Sequence, residues 1–218
     1  MEYQGTLFAS DPAGSVGGIA RTTLGRGAWV DVRRDWLADA DGVFAALVRD
    51  VPWRAERRQM YDRVVDVPRL VHTYDAGEPL PHPALTEARD TLSEHYRPVL
   101  GEPFVTAGCC YYRDGTDSVA WHSDRRVGAR SHAKHGDGAD PMGRGDREDT
   151  MVAIVSVGDP RRLALRPRGG GPSLSFTMGH GDLLVMGGSC QRTWEHAVPK
   201  VAHAGPRLSV QFRPRHLF

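Results

Sequence analysis

The sequence predicts a mainly β protein with flanking helices (α+β), arranged as a sandwich or a jelly-roll barrel. Eight short strand-like runs follow one another after residue 103, and Gly, Pro and Asp separate them. No helical periodicity lies between these runs, which argues against a parallel α/β sheet. A chain of 218 residues can bury a substantial core, so residues 1–218 are expected to form a single domain.

The sequence of the amino-terminal half predicts an irregular, partly extended lead-in over residues 1–27, where Gly, Ser and Ala are frequent. It predicts a helical supporting and substrate-recognition region over residues 28–103. The first helix is predicted at Asp39–Asp50, with Asp39 or Asp41 as its N-cap. Its core-facing residues are predicted to be Phe44, Leu47 and Val48. The second helix is predicted at Pro83–Arg97, and Pro98 is expected to stop it. The residues that keep helical spacing in it are Leu85, Ala88, Leu92 and Tyr96.

The jelly-roll core is predicted over residues 104–218. Its strand-like runs are FVTAGCCYYR, SVAWHS, MVAIVSV, RLALRP, SLSFTM, DLLVMGG, TWEHAV and RLSVQFR. Residues 125–149 interrupt the series, because they are Gly-rich, charged and almost free of large apolar side chains. They predict a long mobile loop, and loops of this length usually serve a function or lack order.

Composition limits the classes of partner and compartment. The formal net charge of +1 provides no global field that would attract a polyanion, so nucleic acid would have to meet a local patch. Three cysteines make no disulfide framework, which favours a reducing cytoplasm. No signal peptide and no membrane span are recognisable, and a monomer is expected.

Three His-x-Asp motifs are candidates for a metal site: His122-Ser-Asp124, His135-Gly-Asp137 and His180-Gly-Asp182. His135 lies in the predicted loop, and glycines around His180 favour a turn in which Asp182 caps the backbone. His122 and Asp124 differ, because an extended strand places both on the face that Ser118 and Ala120 share, while Val119 and Trp121 point the other way. This pair suits two ligands of a 2-His-1-carboxylate iron site.

The second histidine ligand is left open between two residues by this reasoning. His196 follows a tryptophan in a strand-like run, whereas His203 lies in a connection beside Gly and Pro, so rigidity favours His196. His216 lies two residues from the carboxyl terminus, where fraying is common.

The last run, RLSVQFR, alternates in polarity and suggests an anion site. Arg207, Ser209, Gln211 and Arg213 share one face, and the apolar residues share the other. A buried guanidinium is costly without an anion, and a carboxylate matches its fork. An edge strand with a solvent-exposed face is the alternative.

Together these residues resemble the AlkB family of Fe(II)- and 2-oxoglutarate-dependent dioxygenases. The matching runs are YYRDGTDSVAWHSD, GDLLVMGGSCQRTWEHAVPK and GPRLSVQFR, and the similarity extends from about Trp53 to the end. The resemblance implies a double-stranded β-helix (a cupin-like jelly roll), with Fe(II), 2-oxoglutarate and O2 as cofactors. It implies oxidative demethylation, in which 2-oxoglutarate yields succinate and CO2, and a hydroxylated N-methyl group leaves as formaldehyde.

The resemblance also implies roles for individual residues. His122, Asp124 and His196 would bind iron. Arg207 and Tyr112 would bind the distal carboxylate of 2-oxoglutarate, with Arg213 near its other end.

Several positions depart from the family pattern. Cys110 replaces the usual Asn, and Ser209 and Gln211 replace the Asn and Thr of the Arg-x-Asn-x-Thr-x-Arg motif. Arg126 stands where nucleic-acid repair members usually carry a base-reading carboxylate, so an altered lesion preference is expected.

The expected substrate is an alkylated base of DNA or RNA. Phosphate contacts are predicted from Arg161, Arg162, Arg166 and Arg168, and further basic residues lie in WRAERR (Arg54, Arg57 and Arg58). Trp53 or Tyr74 is predicted to stack on an extruded base, although Trp53 also suits the core. The alternatives are hydroxylation of a small molecule or protein side chain by the same chemistry, and a non-catalytic jelly-roll binding module.

Overall fold

A computed structural model describes residues 16–60, 63–124 and 149–214 of the chain. Twelve strands and three helices form these parts. The strands are β1 (Ala20–Gly25), β2 (Ala28–Arg33), β3 (Arg54–Met60), β4 (Arg63–Tyr74), β5 (Thr106–Tyr112), β6 (Val119–His122), β7 (Val152–Gly158), β8 (Arg161–Pro167), β9 (Leu174–Met178), β10 (Asp182–Gly188), β11 (Trp194–Val198) and β12 (Arg207–Arg213). The helices are α1 (Ala40–Asp50), α2 (Pro83–Leu100) and α3 (Cys190–Thr193).

The strands form two antiparallel sheets. The larger sheet has the order β1-β2-β10-β7-β12-β5-β4-β3, and the smaller has the order β6-β11-β8-β9. β12 lies between β5 and β7, so it is a central strand and its polar face is not a solvent-exposed edge. All eight strands predicted after residue 103 are confirmed, as is the jelly-roll class.

Two apolar cores fix this arrangement. α1 and α2 pack on one face of the larger sheet, where Leu47, Leu92 and Phe212 are almost fully buried. The second core joins the other face of the larger sheet to the smaller one through residues such as Ile154 and Leu165. Helices therefore close one face of the larger sheet, and the opposite face is left to form the site with the smaller sheet.

Strand content in the first half was underestimated. β1 is an extended part of the predicted lead-in over residues 1–27, and it forms a regular hairpin with β2. Residues 1–15 of this range lie outside the described residues. The region 28–103 contains β2, β3 and β4 besides the two helices. These strands carry arginines, aspartates or a proline among their apolar residues, so they form through pairing with neighbours.

The helices follow the prediction with two corrections. Asp39 caps α1, because its side chain accepts a hydrogen bond from Gly42 N at 3.2 Å. Val48 is 40% exposed and does not face the core as predicted. Pro98 does not stop α2, which continues to Leu100 and ends at Gly101 in the left-handed conformation, with φ of 78°. No helix in the described ranges is long and apolar enough to cross a membrane.

Candidate metal centre

His122, Asp124 and His196 form a three-residue cluster with metal-ligand chemistry. His122 on β6 pairs directly with His196 on β11, and their ring centroids lie 4.1 Å apart. Asp124 follows two residues after His122, just past the end of β6. One ligand atom from each residue lies within 4.8 Å of the others. The His122-Ser-Asp124 motif and His196, the histidine that rigidity favoured, therefore lie next to each other at the smaller sheet.

The first ligand is oriented by its own strand. His122 Nδ1 lies 2.9 Å from the carbonyl oxygen of Ala120, which accepts only, so Nδ1 carries the proton. Nε2 is then the free ligand atom, and it lies 3.8 Å from Asp124 Oδ1. Such a backbone contact fixes the tautomer of a metal-binding imidazole.

A register irregularity in β6 corrects one detail of the prediction. His122 pairs with His196 while Val119 pairs with Val198, so β6 carries one extra residue over this interval. Val119 consequently lines the same cavity as His122 and does not point the other way.

Asp124 is held ionised by an arginine from the larger sheet. Arg213 donates to Asp124 Oδ2 from Nε at 3.2 Å and from Nη2 at 3.0 Å, which leaves Oδ1 toward the histidines. The Asp124 backbone N–H donates to Gln191 Oε1 at 3.0 Å. Burial alone would raise the pKa of Asp124, but Arg213 and the two histidines outweigh it and lower the pKa to about 2.

His196 is kept neutral by its surroundings. Burial, and secondarily the neighbouring His122, lower the pKa of His196 to about 3. A neutral imidazole and an ionised carboxylate are the protonation states in which these groups bind a metal. Asp124 and His196 are therefore already in their ligand forms near neutral pH.

Arg207 supplies an unsatisfied cation in the same cavity. The cavity encloses about 420 Å³ and is lined by the three ligand residues and by Arg207. Arg207 is 2% exposed, and its Nε donates to Ser156 Oγ at 3.0 Å. Its Nη1 is buried and has no hydrogen-bond partner among the residues that the structure describes. Because buried donors are nearly always paired, this orphan nitrogen fits the carboxylate of a bound ligand.

Tyr112 lies beside Arg207 but outside the residues that line the cavity. The Arg207 guanidinium carbon lies 5.1 Å from the centroid of its ring. Burial raises the pKa of the Tyr112 phenol, which stays protonated. The Tyr112 hydroxyl lies within hydrogen-bonding reach of Arg207 and Ser209, which line the cavity, so its contact with the distal carboxylate of 2-oxoglutarate stays a prediction.

The three departures from the family motif form one hydrogen-bonded wall of the cavity. Gln211 Nε2 donates to Ser209 Oγ at 2.6 Å, and the Cys110 thiol contacts Gln211 Oε1 at 3.8 Å. Arg69 of β4, which the sequence analysis did not single out, donates from Nε to Cys110 Sγ at 3.4 Å. The substitutions therefore satisfy one another, and they bring a further guanidinium to the cavity.

The predicted base-stacking residues lie in packed positions. The Trp53 indole N–H donates to Leu47 O at 3.0 Å, and its ring packs on Tyr111 at 5.5 Å between centroids. Tyr74 contacts the ring of His72 edge-on at 4.6 Å. Neither Trp53 nor Tyr74 lines the cavity, so the core alternative describes Trp53 better.

The predicted phosphate-binding role of Arg161 is wrong. Arg161 is 3% exposed, and it donates to the backbone carbonyls of Asp114, Asp117 and Pro199 at 2.8 to 3.0 Å. It therefore ties two loops to β8 and is shielded from any strand outside. Arg162 is exposed, as the alternation along β8 requires.

The remaining arginines and histidines lie elsewhere. Arg166 pairs with Glu195 at 3.0 Å and Arg168 is exposed. His180 Nδ1 accepts from Gly158 N at 3.0 Å, and His203 lines a separate shallow pocket. Asp182 accepts from Gly179 N at 2.8 Å, in agreement with its predicted turn role. Arg126, His135 and His216, about which predictions were made from the sequence, lie outside the described residues, as do residues 125–148 of the predicted loop.

The fold and the site define a class of protein: a jelly-roll oxygenase with a 2-His-1-carboxylate centre beside a carboxylate-binding arginine. A sequence model of the 2OG-Fe(II) oxygenase superfamily matches residues 40–213, so the chain belongs to this family. Membership implies Fe(II), 2-oxoglutarate and O2, and the ligand cluster and the orphan nitrogen of Arg207 fit the first two.

Within the family the chain is AlkB-like, which confirms the resemblance. It is 33% identical over 219 residues to alpha-ketoglutarate-dependent dioxygenase alkB homolog 3 of Bos taurus, and 30% identical over 217 residues to that of Homo sapiens. These alignments cover 90% of this chain, which spans 66% of the length of either relative. It is 26% identical over 196 residues to DNA oxidative demethylase ALKBH2 of Homo sapiens, covering 81% of this chain and 69% of that one.

A solved structure shows the same fold. The structure of OsALKBH1 superposes with a TM-score of 0.52 at 14% identity, covering 89% of this chain and 100% of that chain.

Proposed function

We propose that this protein is an Fe(II)- and 2-oxoglutarate-dependent oxidative demethylase that acts on N-alkylated bases of DNA or RNA. The observation that carries the proposal is one cavity that contains both the His122, Asp124 and His196 cluster and the orphan Nη1 of Arg207. The nucleic-acid substrate rests on the similarity to a DNA oxidative demethylase and to alkB homolog 3.

Residues of the two sheets would bind different groups. His122, Asp124 and His196 on the smaller sheet would hold Fe(II), and Arg207 on the larger sheet would hold the distal carboxylate of 2-oxoglutarate. Iron with 2-oxoglutarate and O2 supplies the oxidising power for hydroxylation of an N-methyl group. Arg213 keeps Asp124 ionised, because it neutralises Oδ2 at 3.0 Å and fixes the carboxylate orientation.

The demethylated product follows from the hydroxylated group. When a hydroxymethyl group on a ring nitrogen loses its hydroxyl proton, the C=O bond of formaldehyde forms and the C–N bond breaks. The electron pair of that bond returns to the nitrogen, which is thereby demethylated. The protein needs only to hold the methyl group near the metal and to exclude water, because orientation supplies much of the rate. The position of the cavity between the two sheets suits both tasks.

The test is a screen of single- and double-stranded oligonucleotides that carry one N-methylated base. With Fe(II), 2-oxoglutarate and air, mass spectrometry should show loss of the methyl group from at least one of them. Asp124→Ala should abolish the loss, whereas Asp90→Ala, an exposed aspartate on α2, should not. Succinate formation without any demethylation would point to a small-molecule or protein substrate, and neither product in the metal-loaded protein would point to a binding module.

A further inference from the structure

Asp124 lies past the end of the strand that carries the first metal ligand. β6 ends at His122, and its ladder with β11 runs from Val119 to His122. A residue beyond the ladder lacks the strand pairing that fixes the backbone inside a sheet. Arg213 holds the carboxylate oxygen Oδ2, so a different contact must fix the main chain of Asp124.

The side chain of Gln191 on α3 provides this contact. Its Oε1 accepts a hydrogen bond from the backbone N–H of Asp124 at 3.0 Å, and Gln191 is 3% exposed. Because a backbone N–H only donates, the oxygen of the amide and not its nitrogen faces Asp124. Gln191 is not among the described residues that line the cavity, so it acts on the metal centre through Asp124.

The nitrogen of the same amide has a poor partner. Gln191 Nε2 lies 3.9 Å from the sulfur of Met186, and a thioether is a weak acceptor. A buried N–H donor without a good acceptor costs about 1–3 kcal/mol. An apolar side chain of similar length would fill this position without that cost. The contact that explains the amide is therefore the one that its oxygen makes with Asp124.

Gln191 is itself held by an anchored turn. α3 begins after Ser189, whose hydroxyl donates to the carbonyl oxygen of Arg26 at 2.6 Å and whose backbone N–H donates to Gly27 O at 3.3 Å. α3 leads directly into β11, the strand that carries His196. One short stretch of chain therefore supplies one metal ligand and holds the backbone of another.

We propose that Gln191 is a positioning residue of the metal centre, which fixes the main chain of Asp124 so that the Oδ1 left free by Arg213 faces the two histidines. Removal of a contact that orients a metal ligand typically weakens metal binding about 10- to 100-fold. The inference concerns the metal centre and not the substrate, so failure of the demethylase proposal would leave it intact.

Metal titration of variants that change one end of the amide at a time tests the proposal. Gln191→Met keeps a long unbranched side chain but removes the acceptor, so calorimetry should show Mn(II) binding about 10- to 100-fold more weakly. Met186→Leu removes the sulfur beside Nε2 and leaves the contact with Asp124, so Mn(II) should bind as to the wild type. Arg192→Gln removes the exposed ion pair with Asp149 from the same turn and should also leave Mn(II) affinity unchanged.

The absorption spectrum of bound Co(II) separates a positioning role from a purely structural one. The d–d bands of Co(II) depend on the arrangement of its ligands, so they should shift in Gln191→Met and keep their wild-type positions in Met186→Leu and Arg192→Gln. The melting temperature of the metal-free protein should change little in Gln191→Met, because the variant loses one hydrogen bond and one poorly paired amide together.

Unchanged Mn(II) affinity and an unchanged Co(II) spectrum in Gln191→Met would overturn the proposal, as would a lowered melting temperature with wild-type metal affinity. Gln191→Asn is the second variant and serves where Gln191→Met does not fold. It keeps the amide but is one methylene shorter, so its oxygen withdraws from the backbone N–H of Asp124. It should weaken Mn(II) binding in the same way, and wild-type affinity in this variant would count equally against the proposal.

Discussion

Replacement of Arg207 by lysine tests how the cosubstrate is anchored. Arg207 is almost completely buried, with Nε bound to Ser156 and Nη1 without a partner in the described part of the chain, so a ligand carboxylate would complete its hydrogen bonding. Lysine keeps the charge but loses the planar fork and the Nε donor. A hydrogen bond to a charged group contributes about 1.5–3 kcal/mol. Since about 1.4 kcal/mol is tenfold in affinity, 2-oxoglutarate should bind about 10- to 150-fold more weakly to Arg207→Lys.

Calorimetry with the Mn(II)-loaded protein would measure this affinity without turnover. Arg69→Lys provides the matched control, because Arg69 lines the same cavity but already donates to Cys110 and Ser118. We expect the smaller loss in that variant. Unchanged affinity in Arg207→Lys, with a large loss in Arg69→Lys or Arg213→Lys, would refute the assignment of the anchor.

Three further predictions concern stability and metal binding. The lowered pKa of His196 means that the folded protein binds a proton there less readily than the unfolded chain, so the metal-free protein should lose stability as pH falls below the ordinary histidine pKa of 6.5. The melting temperature of His196→Gln should therefore depend less on pH between 7 and 5 than that of the wild type. Equal pH dependence of the two proteins would contradict this prediction. Arg161→Met should lower the free energy of unfolding by about 3 kcal/mol, because it removes the donor from three backbone carbonyls, of which that of Asp117 is buried and those of Asp114 and Pro199 are partly buried. Arg162→Met should change the free energy of unfolding by less than about 0.5 kcal/mol. Urea unfolding of the two variants checks this, and equal effects would show that Arg161 is not structural. In Gly108→Ala the new Cβ would lie 2.5 Å from Arg213 Nη1, so Arg213 must shift away from the Asp124 carboxylate. Titration should then show weaker Fe(II) binding with a nearly unchanged melting temperature. Wild-type metal affinity in this variant would contradict the positioning role of Arg213.

The strands of the jelly roll were predictable because each one is short, apolar and bounded by turn residues. The strands before residue 103 were not, since their stability comes from pairing. β2 shows this, because it is buried between β1 and β10 although its sequence, AWVDVR, contains an aspartate and an arginine. Asp31 within it is 2% exposed and is satisfied by Arg21 and Tyr96, partners that lie far apart in the chain.

The site residues likewise divide into those that the sequence predicted and those that it did not. Strand periodicity indicated His122 and Arg207, because each lies on a strand whose polar face the local sequence defines. Asp124 was found with His122 because it follows two residues later, just past the end of β6. Glu56 and Arg69 enter the cavity through an irregular ladder between two strands, which no local pattern reveals. The pairing of β3 with β4 decides the position of both residues, so only the three-dimensional structure could show it.

Arg161 was assigned wrongly although a local signal existed. It shares strand parity with Leu163 and Leu165, and that face of β8 is buried. Alternation alone therefore places Arg161 inside and Arg162 outside. The prediction nevertheless assigned phosphate contacts to both Arg161 and Arg162, although neighbouring residues of a strand face opposite sides of the sheet.

The most direct test of the central claim is the ratio of two products in one reaction. With Fe(II), 2-oxoglutarate, air and a methylated oligonucleotide in excess, the cavity beside His122, Asp124 and His196 should release succinate and formaldehyde in equal molar amounts, and Asp124→Ala should release neither. Succinate without formaldehyde for every methylated oligonucleotide, or formaldehyde in amounts that do not depend on 2-oxoglutarate, would contradict the account.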